Sequence, residues 1–184
     1  MNEHTPLIIL DRDGVINLDS DAYIKSPDEW IAIDSSLKAI ARLNQAGYKI
    51  GIATNQSGIG RGYFDHATLA MMHKKMEQAL AQHGAHIDAL EYCPDHPDQA
   101  THRRKPAPGM AESLLQQFAA DPAQTWFVGD SKSDLDCALN AGCMPALVLT
   151  GKGERTQAKL SPDSNIPVFE DLAAFVDWLL EIRQ

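Results

Sequence analysis

The chain has 184 residues, 44% of them hydrophobic and 22% charged, enough for one domain, residues 1–184, that closes its own core without staples. Its 25 acidic side chains outnumber the 16 basic ones, and the formal net charge of −9 has the wrong sign for a nucleic-acid binder. No apolar run reaches the ~18–20 residues that cross a bilayer, and Cys93, Cys137 and Cys143 are odd in number with no CxxC pair, against a disulfide framework.

Residues 1–6 are polar and only Leu7–Leu10 is continuously apolar, too short for a signal-peptide core, so a cytoplasmic protein is expected. Leu7–Leu10 runs into Asp11 and predicts a buried strand. Ser35 or Ser36 is the expected cap of a helix carrying Leu37, Ile40, Ala41 and Leu43 on one face, stopped at Gly47. Residues 48–54 (YKIGIAT) predict the next strand. Asp65 then caps a long helix with Leu69, Met72, Met76 and Leu80 at helical spacing, stopped near Gly84.

Residues 87–92 predict a third strand, followed by a helix from about Pro108, where proline fits the first turn. A fourth strand at 125–129 (TWFVG), a helix at 133–141 and a fifth strand at 145–150 (PALVLT) come next. Residues 151–167 read as an irregular loop, and 170–182 as a closing amphipathic helix with Leu172, Phe175, Val176 and Leu179 inward. Strands alternating with helices predict an α/β, doubly wound, mostly parallel sheet. Trp30, Trp126, Trp178 and the methionines 71, 72 and 76 fit core packing, and no basic neighbour marks Cys137 or Cys143 as a reactive thiolate.

Ligands of such sheets bind at the carboxyl ends of the strands. Three strands run into polar residues there: Asp11-Arg12-Asp13-Gly14, Thr54-Asn55-Gln56-Ser57-Gly58 and Gly129-Asp130. Each alone is compatible with turn formation or helix capping. Together, Asp11, Asp13 and Asp130 place enough negative charge on one rim to need a cation, and an all-oxygen set suits Mg²⁺. Thr54 and the amides after it suit phosphate oxygens. Lys105, with Arg61, Arg103, Arg104 and Lys132, is available to balance a phosphoryl group in an acidic protein.

Asp11-Arg12-Asp13-Gly14-Val15, then Thr54, Lys105, and Gly129-Asp130 with Asp134, resemble the four motifs of the haloacid dehalogenase-like phosphatases, in the family's order and over nearly the whole chain. Within that family LDRDGVIN, TNQSGIGRG, YCPDHP and RRKPAPGM look like the branch that removes the C7 phosphate of D-glycero-D-manno-heptose 1,7-bisphosphate, on the way to ADP-heptose and the lipopolysaccharide core. Histidinol-phosphate phosphatases, which share DRDG and TNQ, are the alternative. A non-hydrolytic phosphate-binding or receiver-like module is the alternative of another class, and Asp13 argues against it, because acid–base help shortens the life of a phosphoryl switch.

The resemblance implies that Asp11 is the nucleophile, Asp13 the acid and then the base, and Thr54 and Lys105 the groups that stabilise the phosphoryl. It implies Mg²⁺ held by the Asp11 and Asp130 carboxylates and the Asp13 carbonyl, with Asp134 orienting the metal's water shell or Lys105, or capping the next helix beside Ser133. It assigns a small phosphorylated sugar to Asp19, Ser20, Asp21, Ala22, Asn55, Gln56, Ser57, Arg104 and Ser131. The site is expected to be open, with no large cap domain, in a monomer that binds neither nucleic acid nor membrane.

Two departures bear on this. The heptose branch often holds a structural zinc through Cys-x-His and Cys-x-Cys pairs. Here Asp95 stands in the histidine's place and the second pair is missing, so with only Cys93, His96 and His102 nearby no structural zinc is expected. Residues 94–103 are then either packed or mobile. The second departure is Ser131 after Asp130, where some heptose phosphatases carry lysine; Lys132 is one place later.

Overall fold

Four consecutive apolar residues can be buried on both faces only in a sheet covered by helices on each side. Leu7–Leu10 lies at the centre of such a sheet. The computed structural model describes residues 5–182. It contains six parallel strands, β1 (Leu7–Leu10), β2 (Lys49–Asn55), β3 (Ala89–Cys93), β4 (Trp126–Gly129), β5 (Met144–Val148) and β6 (Val168–Phe169), in the order β3-β2-β1-β4-β5-β6. The helices are α1 (Asp34–Gln45), α2 (Ser57–Gly60), α3 (His66–Gln82), α4 (Gly109–Phe118), α5 (Lys132–Asn140), α6 (Gly153–Gln157) and α7 (Leu172–Glu181).

Alternation along β1 divides the core. Ile8 and Leu10 join the apolar faces of α1, α3 and α7, whereas Leu7 and Ile9 join Phe127, Met110, Leu114 and Ala138 against α4 and α5. Each such burial removes a side chain from water at a gain of ~1.5–3 kcal/mol. The expected doubly wound architecture is therefore met. Residues 17–34 and 55–87 add loops and helices but no cap domain.

The departures from expectation are local. Ser35 and Ser36 lie inside α1, whose cap position is Ile33; Ser36 Oγ instead donates to the Val15 carbonyl at 2.6 Å and Ser35 Oγ to Asp171 at 3.2 Å. The third strand starts two residues later than its apolar run suggests and ends one residue later, at Cys93. Residues 151–167 contain α6, and β6 is a two-residue edge strand too short to give a pattern. Met72 and Met76 are buried, but Met71, one position round the helix, is exposed. Cys137 and Cys143 are buried, which pushes both thiols up to about 12 and fits an unreactive role.

Candidate active site

Strand order reverses beside β1, which pairs with β2 on one side and β4 on the other. This is the topological switch point at which α/β sheets open a crevice. Leu10 lies beside both Ile52 and Val128, so the residues after β1, β2 and β4 emerge together. The resulting cleft has a volume of about 460 Å³. It is lined by the predicted residues Asp11, Asp13, Asp19, Ser20, Asp21, Asn55, Gln56, Ser57, Arg104, Lys105, Asp130 and Ser131. Thr54 and Ala22 lie outside this lining: Thr54 is buried at the end of β2, where its Oγ1 accepts from Gln56 Nε2 at 2.9 Å, and Ala22 faces a shallower groove alongside.

Asp11 is buried, and its Oδ1 accepts from the Arg12 amide at 2.8 Å and from Lys105 Nζ at 3.0 Å. Burial, with Asp134 adding like charge, pushes its pKa up to about 7. Asp130 is pushed up to about 9 by burial and by the charge of Asp11. Carboxylate oxygens of Asp11, Asp130 and Asp134 lie within 4.8 Å of one another. Crowded carboxylates resisting ionisation are what a divalent cation relieves.

Of the three, Asp134 is already engaged. Its Oδ1 accepts from Lys105 Nζ at 2.6 Å, and its Oδ2 accepts from the Asp130 and Ser131 amides at 3.1 Å. Asp11 and Asp130 keep oxygens without partners among the described residues. The backbone is shaped around Asp130: a Cβ on Gly14 (φ +84°) or Gly151 (φ +58°) would come within 2.1 or 2.2 Å of its Oδ2. The set fits a hard cation held by Asp11 and Asp130, with Asp134 behind it.

Lys105 is buried and donates to Asp11, Asp134 and the Ala53 carbonyl. Burial alone would lower its pKa, but the two aspartates raise it above the usual lysine value, so it stays charged. Asn55 fixes its backbone through paired hydrogen bonds, Nδ2 to the Lys105 carbonyl at 3.0 Å and the Lys105 amide to Oδ1 at 3.1 Å. Ser131 caps α5 and closes a capping box with Asp134.

Asp13 is held differently. Its Oδ1 accepts from Arg12 Nε and from Asn17 Nδ2, both at 2.9 Å, and its Oδ2 from Gln56 Nε2 at 3.1 Å. Burial pushes its pKa up, yet the Arg12 charge and these hydrogen bonds hold it below the usual carboxylate range. Arg12 is fully buried, and its Nη1 lies 3.2 Å from His73 Nε2. Burial and then the Arg12 charge push His73 down to about 4. It is neutral at pH 7, and Nε2 accepts.

The HAD-hydrolase-like family model matches residues 102–175. A D-glycero-β-D-manno-heptose-1,7-bisphosphate 7-phosphatase of Pseudomonas aeruginosa is 51% identical over 175 residues, 95% of this chain and 98% of its own. Its counterpart in Bordetella bronchiseptica is 53% identical over the same shares. The chain belongs to the haloacid dehalogenase-like phosphatases. A solved structure of the B. bronchiseptica D,D-heptose 1,7-bisphosphate phosphatase, complexed with magnesium and phosphate, aligns with a TM-score of 0.92 at 52% identity, covering 96% of this chain and 98% of that one.

In this phosphatase the zinc-type ligands do not converge among the described residues. His96 Nδ1 accepts from the Asp98 amide and His102 Nε2 bonds Glu112. Residues 94–103 are closed instead by Asp95, whose Oδ2 accepts from Thr101 N at 2.8 Å and Oγ1 at 2.6 Å, while Arg104 Nη1 donates to the Asp95 carbonyl. Sequence reasoning missed His73 and Tyr23, which carry no motif. It also missed Lys152, whose amide donates to Asp130 at 2.8 Å and whose Nζ pairs with Asp19 at 3.0 Å.

Proposed function

We propose that this phosphatase hydrolyses the 7-phosphate of D-glycero-β-D-manno-heptose 1,7-bisphosphate, as a cytoplasmic, single-domain monomer. The observation that carries the reading is the convergence of Asp11, Asp13, Lys105 and Asp130 on one cleft, in a chain half identical over 95% of its length to phosphatases named for that substrate. The magnesium of the B. bronchiseptica complex supports Mg²⁺ as cofactor, with Asp11, Asp130 and the Asp13 carbonyl as its holders. When bound, Mg²⁺ neutralises the carboxylate cluster and withdraws charge from the phosphoryl oxygens.

The Asp11 carboxylate attacks phosphorus, forming an O–P bond as the bond to the sugar oxygen breaks. Asp13, ionised before substrate arrives, takes up a proton from solvent when the negative charge of the substrate comes beside it, and gives that proton to the sugar oxygen. Oδ1 accepts from both Arg12 and Asn17 and Oδ2 from Gln56 alone, so Oδ2 is the atom with room to carry it. Asp13 then takes a proton from water, which attacks the aspartyl phosphate and frees Asp11 and inorganic phosphate. Lys105, fixed by Asp134 and Ala53, steadies Asp11 and the transferring group.

The test is the initial rate of Mg²⁺-dependent phosphate release from the α and β heptose bisphosphates and from histidinol phosphate. The β anomer is expected to win by about a hundredfold, about 2.7 kcal/mol of differential transition-state binding, and Asp11→Asn to abolish release. Faster turnover of histidinol phosphate would overturn the substrate.

A further inference from the structure

The inner stripe of α3 carries Leu69, Met72, Met76 and Leu80, all buried. His73 is half-buried at the edge of that stripe, where an aliphatic side chain would serve packing better. No step of the mechanism above uses it. A polar ring set against a core needs a partner. His73 has one: its Nε2 lies 3.2 Å from Arg12 Nη1, and the Tyr92 ring flanks it at 6.4 Å between centroids. Arginine carries donors only, so Nε2 is the acceptor and the ring proton sits on Nδ1.

Among the described residues the buried guanidinium of Arg12 has two polar partners. Nε and Nη2 meet Asp13 Oδ1 at 2.9 and 2.8 Å, and Nη1 meets His73. A guanidinium is a rigid plane, so a hydrogen bond at Nη1 fixes the edge formed by Nε and Nη2. The flexible stem behind it does not fix that edge by itself. Asp13 Oδ1 therefore has its direction set from α3, by a residue 61 positions from Arg12.

We propose that His73 is a positioning residue for proton transfer. By accepting from Arg12 Nη1 it locks the guanidinium edge that grips Asp13 Oδ1, which leaves Oδ2 as the oxygen that exchanges the proton with substrate. This rests on the reading of Asp13 as the acid given above. No motif reports the residue, because the contact crosses from the loop after β1 to α3.

The experiment compares a leaving group that needs a proton with one that does not. A sugar oxygen departs protonated, whereas p-nitrophenol leaves as a stable anion. With enzyme in excess, single-turnover rate constants are measured for release of heptose 1-phosphate from the 1,7-bisphosphate and of p-nitrophenolate from p-nitrophenyl phosphate. The ratio of the first constant to the second is independent of the active fraction, so partial misfolding does not imitate the effect. In His73→Leu, which suits the apolar stripe but accepts nothing, the ratio is expected to fall about tenfold, about 1.4 kcal/mol. His73→Gln keeps an acceptor near the place of Nε2 and is expected to recover most of the loss. An unchanged ratio in His73→Leu overturns the assignment. So does an equal fall in the Leu and Gln variants, which would place the effect in the packing of α3. Asp13→Asn is expected to lower the ratio further; an unchanged ratio in that variant overturns Asp13 as the acid, and with it the reading on which the proposal rests.

Discussion

At the scale of single residues, the site is organised by charges that are buried and therefore must be matched. Arg12 has no exposure, yet it sits between Asp13 and the neutral ring of His73. Because His73 titrates near 4 in the fold and near 6.5 in the unfolded chain, the unfolded state binds its proton first. Its neutrality supports stability above about pH 6.5, and that support is lost as pH falls toward 4. His73→Gln, which keeps an acceptor for Arg12 but does not titrate, is expected to shrink the loss of stability between pH 7 and pH 5 by about 2 kcal/mol in urea unfolding. Lys105→Met leaves Asp11 and Asp134 facing each other without a cation. A loss of about 3–5 kcal/mol in urea unfolding is expected, together with loss of phosphate release.

Individual elements show how short segments aim these residues. The turn after β1 needs a positive φ at Gly14 and no Cβ, since Asp130 fills that space. Gly14→Ala is expected to weaken Mg²⁺ binding by displacing Asp130, read as a right shift of the Mg²⁺ dependence of the rate. The segment 94–103 lacks a zinc-type ligand set and is drawn closed by Asp95 and Thr101, with Arg104 tied to the same loop. Asp95→Ala removes two hydrogen bonds to a carboxylate. Faster hydrogen exchange at the Thr101 amide and a higher KM are expected, whereas a zinc chelator leaves that amide's protection in the wild type unchanged. Ser131 illustrates a side chain claimed by its element: it closes the capping box of α5 with Asp134 and borders the cleft at the same time.

For the whole molecule, crowded carboxylates at the switch point oppose folding until a cation meets them. Mg²⁺ at a hundredfold excess over its Kd is expected to stabilise the fold by about 2.7 kcal/mol, a rise of about 5–10 °C in Tm for a chain this size. Asp130→Asn should abolish most of that rise, and no rise in the wild type would overturn the metal assignment. The sequence by itself determined the strand–helix alternation, the parallel sheet and the positions of Asp11, Asp13, Lys105 and Asp130. Apolar periodicity and strand-end motifs are local signals, and burial on both faces leaves β1 no other place than the centre. The tertiary structure alone decided what depends on contacts between distant segments. Ser35 and Ser36 were taken from capping by Asp171 and Val15, 136 and 21 positions away. Asn55 became the clamp of Lys105, and His73 reached Arg12 from α3. Arg61 met Tyr23 across the cleft. A buried donor takes whichever acceptor the packing brings within about 3 Å, and that choice is made by the assembled fold.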